Sequence, residues 1–261
     1  MYNHHKKAIE DITNKLKTNE EILGIIIGGS VAHGFANEKS DIDIMIVLSD
    51  EDFQKHLKEK NIGYYEEEIC PRDGGYVDGK YISLDFIKKV CTQGSEPAKF
   101  AFKDAFVTYS KVEGLKELVE NASSYPIKNK EINLERFISQ FKGWHWYYNE
   151  GLKRNNLYLI NIAATNMVLF AGRLILTYNE TLYPYHKWFF KVLEQCPNKP
   201  ENLINLMNNL IEDKNETNAN ILYDSIINFT DWNDGNKPWN IQFMLDSELT
   251  WLDGFVPVAD I

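Results

Sequence analysis

The sequence predicts an α/β (α+β) chain, with an N-terminal mixed-sheet domain followed by a C-terminal helical bundle. Three observations predict it. Short, β-branched apolar runs alternate with helical patterns through the first half. Long stretches with apolar residues at helical spacing fill the second half. Between them, Asn121-Ala122-Ser123-Ser124-Tyr125-Pro126 is a run of turn-forming residues, which sets the expected domains at 1–122 and 126–261.

In chain order, Ile9, Ile12 and Leu16 share one side of a helix over residues 5–16. Ile22-Leu23-Gly24-Ile25-Ile26-Ile27 is a buried strand stopped by Gly28-Gly29. A polar loop leads to a second strand over 42–48. Ser49 then offers a helix N-cap, and Asp50, Glu51 and Asp52 suit the positive end of a helix running to about Lys60. Further strands are expected over 64–69, 80–87 and 105–109, with Asp73-Gly74-Gly75 and Asp78-Gly79 as turns between the first two. A short helix covers 114–120. The second half predicts helices over 134–152, 157–178, 202–211 and 218–229, and another beginning at Pro184, since proline suits a first turn. The tail from Trp239 to Ile261 carries no assignable pattern.

Composition narrows the function classes. The 261 residues are 44% hydrophobic and 25% charged, ordinary values for a folded chain. No apolar run approaches the ~20 residues of a membrane span, and the N-terminus lacks the apolar core of a signal peptide, so a soluble cytoplasmic protein is expected. Cys70, Cys91 and Cys196 are widely spaced with no CxxC pair, which argues against a zinc site or a disulfide framework. The formal net charge is −10, and no Lys/Arg cluster exceeds short pairs such as Lys88-Lys89. That removes the main electrostatic term of nucleic-acid binding and suits a cationic small acceptor.

Three features carry chemistry. Gly28-Gly29-Ser30 follows a strand and precedes a short helix. Glycines let the backbone approach a ligand, and the exposed N–H groups with a serine hydroxyl can hold phosphate oxygens. Asp41-Ile42-Asp43 opens a strand, so both carboxylates face one side and repel unless a cation sits between them. Hard oxygen ligands of this kind suit Mg²⁺ whose shell is completed by phosphates. Asp85 is a lone carboxylate in the 80–87 segment and is expected to be a third acid, as metal ligand or general base. Asp73 and Asp78 are alternative third acids that read as turn residues. Glu66, Glu67 and Glu68 read as a solvated strand face.

The order Gly28-Gly29-Ser30-Val31-Ala32-His33-Gly34-Phe35, then Ser40-Asp41-Ile42-Asp43-Ile44, then a later acid, resembles the polymerase-β-like nucleotidyltransferase superfamily. Within it the style is that of the small antibiotic (aminoglycoside and lincosamide) nucleotidyltransferases. The resemblance covers residues 20–90 and is only architectural beyond. It implies that Gly28, Gly29 and Ser30 touch an NTP triphosphate, and that Asp41, Asp43 and Asp85 form the metal and catalytic set for two Mg²⁺ ions. The implied reaction is attack of an acceptor hydroxyl on the α-phosphorus, with AMP transferred from ATP and pyrophosphate released. The resemblance further implies ATP binding, dependence on magnesium and a role in antibiotic resistance.

In the helical half, Lys187 is a candidate phosphate contact, and Tyr183, His186 and Trp188 are candidate acceptor or nucleotide contacts around a helix–loop–helix junction. Trp144, His145 and Trp146 read as core, His33 as a neighbour of the phosphates. Exposed aromatics there leave room for a homodimer contact. Two alternatives stand beside the small-molecule acceptor. One is a protein acceptor of the toxin–antitoxin kind, although no Arg is followed by His at the spacing of the partner ribonuclease motif. The other is a non-catalytic, nucleotide-binding relic of the fold.

Overall fold

The computed structural model describes residues 1–69, 75–232 and 238–254. The chain divides into two compact units, Met1–Tyr125 and Pro126–Ile261. Cys70 and Asp73, weighed above from sequence, lie outside the described residues.

The first unit opens with α1 (Asn3–Leu16), which buries Ala8, Ile9, Ile12 and Leu16 on one stripe. β1 (Ile22–Ile27) leads through Gly28 into the single-turn α2 (Gly29–Ala32). β2 (Ile42–Leu48) is followed by α3 (Asp50–Lys58), whose Asp52 N–H donates to Ser49 Oγ at 3.1 Å. Then come β3 (Gly63–Glu66), β4 (Val77–Ser83), α4 (Leu84–Gln93), α5 (Glu96–Phe100), β5 (Phe106–Ser110) and α6 (Leu115–Ala122).

The strands form one five-stranded sheet in the order β3-β4-β2-β1-β5. β2 and β4 run parallel and the other pairs antiparallel, so the sheet is mixed. Its two faces are both covered. Ile25, Ile27, Ile42, Ile44 and Ile46 pack with α1, while Ile26, Met45, Val47 and Ile82 pack with Ile87 and Val90 of α4 and Leu115 and Val119 of α6. A strand buried on both faces needs no polar alternation, which explains the unbroken apolar run from Ile44 to Leu48.

β4 departs from expectation. It begins at Val77 and ends at Ser83, where α4 starts. Ser83 Oγ accepts the Phe86 N–H at 3.0 Å and caps the helix. Ile87 and Val90 then recur at helical spacing toward the core, so 84–87 is the first turn of a helix. Asp78-Gly79 is strand interior, because seven residues of β4 pair with β2 and ladder pairing overrides local turn preference.

In the second unit, a 3₁₀ turn (Ile127–Asn129) enters α7 (Lys130–Lys153), followed by α8 (Leu157–Tyr178), α9 (Phe189–Gln195), α10 (Leu203–Glu212), α11 (Glu216–Ile227) and α12 (Trp239–Asp246). α7 and α8 are the central packed pair. α9 starts at Phe189 rather than at Pro184, which is buried in the preceding loop. The tail supplies a helix, α12, which buries Phe243.

α8 is the one helix among the described residues that bears on the membrane question. By length and composition it is apolar enough to cross a membrane, with mean hydropathy 1.7 in its richest window. Asn161, Thr165, Asn166, Gly172 and Arg173 break its apolar run in the sequence. Within this structure 56% of that window is buried, with Ala163, Ala164, Met167, Ala171 and Leu174 in the core of the unit.

Candidate active site

The open end of the β2–β4 pair is polar while the rest of the same sheet face is not. Along β2 the residues facing α4 and α6 are Met45 and Val47, with Asp43 next in line; along β4, Ile82 faces the same side, with Lys80 and Asp78 next. Asp43 and Asp78 are register partners in the parallel ladder. Adjacent strands stand about 4.8 Å apart, so the two carboxylates rise side by side. Asp41, two residues before Asp43, sits immediately before the first residue of β2.

Gly29 fixes the near wall. Its φ is +59°, and a Cβ there would lie 1.7 Å from Asp43 Oδ2 and 2.2 Å from Asp43 Cγ. The Asp43 carboxylate therefore rests on the bare α-carbon of Gly29, a place where only glycine fits. The Gly28 N–H donates to the Asp43 carbonyl at 3.0 Å and locks the turn to β2. Ser30 is 4% exposed, and its Oγ has no hydrogen-bond partner among the described residues. A buried hydroxyl left unpaired is costly unless a ligand supplies the partner. Gly28, Gly29, Asp43, Asp78 and Lys80 line an open cleft of about 250 Å³.

Tyr76 shows that the acids converge. Its phenol is held above its ordinary pKa, first by the Asp41 charge, then by donating a hydrogen bond to Asp41 and by burial, and further by the charges of Asp78 and Asp43. One hydroxyl thus feels three carboxylates. Nothing in the sequence reading singled out Tyr76; its position follows from the ladder, where the Ile42 N–H donates to the Tyr76 carbonyl at 3.2 Å. No group of three or more His, Cys, Asp or Glu side chains among the described residues stands as a ready-made metal cage.

Residues 10–95 match the family model described as polymerase beta, nucleotidyltransferase. The first unit contains a polymerase-β-like nucleotidyltransferase domain. A solved structure of a nucleotidyltransferase-like protein from Exiguobacterium sibiricum 255-15 is similar at 10% identity and a TM-score of 0.44, over 86% of this chain and 72% of that one. No curated protein matches the sequence.

The nucleotidyltransferase domain does not bring Asp85 to this cleft. Asp85 lies in the first turn of α4, at the far end of β4, and its Oδ2 pairs with Lys89 Nζ at 2.6 Å. Its N–H donates to Asp50 Oδ1 at 3.0 Å. The five residue steps from Asp78 to Ser83, where the strand ends, already span roughly 16 Å. The acid that the structure places beside Asp43 in the cleft lining is Asp78. Glu66 pairs with Lys15, and Glu67 accepts from Tyr65 Oη at 2.6 Å, so both are engaged away from it.

Of the candidates in the second unit, Tyr183 is a core residue, 4% exposed, with Arg173 Cζ 4.4 Å from its ring and its hydroxyl 3.2 Å from His186 Nδ1. His186 and Lys187 are exposed, and Lys187 Nζ lies 5.2 Å from the Trp188 ring centroid. Trp146 is not core: it is 48% exposed, whereas His145 stacks on Tyr223 at 3.8 Å.

His33 follows α2 and packs 4.5 Å from the Phe100 ring. Burial lowers its pKa, and Asp104, with Oδ2 at 3.5 Å from Nδ1, offsets this only in part. The unfolded chain therefore takes up the proton first as pH falls below the ordinary histidine value, and stability drops over that range. Replacing His33 with Leu is expected to remove this component. Urea midpoints of wild type and variant, compared at pH 7.5 and 5.5, should show the wild type losing more on acidification; equal losses would mean the folded His33 is readily protonated.

Proposed function

We propose that the protein transfers a nucleoside monophosphate from an NTP to a hydroxyl of a small acceptor, with Mg²⁺ as cofactor and pyrophosphate as co-product. The observation that carries this reading is the in-register pairing of Asp43 with Asp78 against Gly29, with Asp41 joined to them at Tyr76. The residues fit the cation. Two or three carboxylates on one face repel one another, and Mg²⁺ is commonly held by one or two carboxylates with substrate phosphates and waters completing the shell. The unpartnered Ser30 hydroxyl beside the cleft fits a phosphate oxygen.

In this reading Gly28, Gly29 and Ser30 hold the triphosphate, and Asp41, Asp43 and Asp78 hold the metal. Bound Mg²⁺ supplies charge neutralisation for the entering and leaving oxygens. Asp78 is exposed at the mouth and takes the proton of the acceptor hydroxyl. The acceptor oxygen bonds to the α-phosphorus as the bond to the β-phosphate oxygen breaks, and pyrophosphate leaves. Lys187, His186 and Trp188 remain proposed contacts for acceptor or nucleotide. ATP as donor, an aminoglycoside-like antibiotic as acceptor and a cytoplasmic location complete the proposal; the net charge of −10 suits a cationic acceptor.

The test incubates the protein with Mg²⁺, labelled ATP and a panel of aminoglycosides and lincosamides, following pyrophosphate and acceptor mass. A gain of one nucleoside monophosphate that disappears in Asp43→Asn is expected. Labelling of a protein instead would replace the acceptor class, and no pyrophosphate from any NTP with any acceptor would sink the catalytic reading.

A further inference from the structure

The second unit holds a cavity of its own, of about 400 Å³, between α7 and α12. Trp146 and Tyr147 of α7 and Trp239 and Phe243 of α12 give it four aromatic walls, and Glu248 is the one charged lining residue among the described residues. The walls are fixed from several sides. Arg136 Nε pairs with Asp246 Oδ1 at 2.8 Å and ties α12 to α7. The Phe243 ring lies 5.7 Å from Tyr147, 6.1 Å from Trp144 and 6.3 Å from Trp239. Trp146, 48% exposed, packs edge-on against Tyr147 at 4.9 Å and leaves its outer surface open. A concave site lined mainly by aromatic side chains, with an open tryptophan face, has the make-up of a small-molecule pocket.

Glu248 decides the ligand class. It is exposed at the rim, and none of the described cations pairs with it. Aromatic faces attract a cation through their ring quadrupole, and a carboxylate at the mouth adds a second attraction for the same charge. We propose that this cavity is a binding site for a small organic cation carried on a flat ring, which stacks on Trp146 and Trp239 with its charge toward Glu248. The site is carried by the second unit alone and stands whether or not the nucleotidyl-transfer reading does.

The experiment is isothermal titration of the full chain at pH 8 with N-methylisoquinolinium and with isoquinoline, which has nearly the same shape and no charge at that pH. The cation is expected to bind at least about tenfold more tightly, a difference of about 1.4 kcal/mol. Glu248→Gln is expected to reduce that preference while leaving isoquinoline unchanged, and Trp146→Ala to weaken both, with Trp146→Phe restoring part. Both positions are exposed, and unchanged melting curves confirm that the variants fold. Equal affinity for the two probes, an undiminished preference in Glu248→Gln, or no saturable binding of either probe to the wild type would overturn the proposal.

Discussion

Asp78→Asn is expected to lower kcat/KM for nucleotidyl transfer by about a thousandfold, while Asp85→Asn leaves it within about twofold. The two substitutions are chemically identical, so the contrast isolates position. Asp78 stands in register with Asp43 on the neighbouring parallel strand. Asp85 is engaged with Lys89 at the other end of β4. Stability separates the two further. Asp78 sits exposed among like charges that raise the Tyr76 pKa, so removing its charge relieves repulsion and the melting temperature should hold or rise. A loss of activity with no loss of stability marks a residue kept for chemistry. Mg²⁺ with ATP should raise the wild-type melting temperature by mass action and raise that of Asp78→Asn much less. If Asp85→Asn is instead the inactive variant, the cleft lies at the other end of the sheet and the Asp43–Asp78 pairing is incidental.

The distance of Asp85 from the cleft has its origin in strand register. Gly28-Gly29-Ser30 and Asp41-Ile42-Asp43 were legible because each is a local pattern: a strand ended by glycines, and two carboxylates at a period of two. The third acid depends on which residue of a later strand lies opposite Asp43, and strand register is a long-range property. Local signals at Asp78 pointed elsewhere, since Asp-Gly is a turn dipeptide in most settings. Here Gly79 serves a close approach instead: a Cβ there would stand 2.2 Å from the Ile44 carbonyl oxygen. The opposite error at Asp85 has a local cure. Ser83 followed by an acid and apolar residues at 84, 87 and 90 is a capped helix start, and reading Leu84–Ile87 as strand overlooked that cap. Tyr76 was illegible for the same reason as Asp78, because its meeting with Asp41 exists only once β2 and β4 pair. In the helical half, the long periodic helices were legible. The exposure of Trp146 was not, because aromatic density alone does not say which ring remains uncovered.

Gly29→Ala is the second substitution expected to have a large effect, and it tests the same geometry from the opposite wall. Two costs fall on one methyl group. An alanine at φ +59° carries a left-handed backbone penalty of about 1–2 kcal/mol. The methyl would also occupy space 1.7 Å from Asp43 Oδ2, so either the carboxylate or the turn must move by more than an ångström. A displacement of that size at a reacting centre costs on the order of a hundredfold in rate, so kcat should fall at least that far. The expected stability loss, read from urea midpoints, is about 1–3 kcal/mol. Gly28→Ala is the contrast. Its φ is −123° and its nearest neighbours would be 3.4 Å away, at the Ala101 carbonyl oxygen and Met45 Cε, so stability should stay within about 1 kcal/mol of wild type. Saturating Mg²⁺ and ATP should not rescue Gly29→Ala, because the fault lies in where Asp43 points rather than in how often the site is filled. Full activity in Gly29→Ala would mean that Asp43 can leave its seat on the glycine without harm, and the carboxylate pair would then lose its claim to the chemistry.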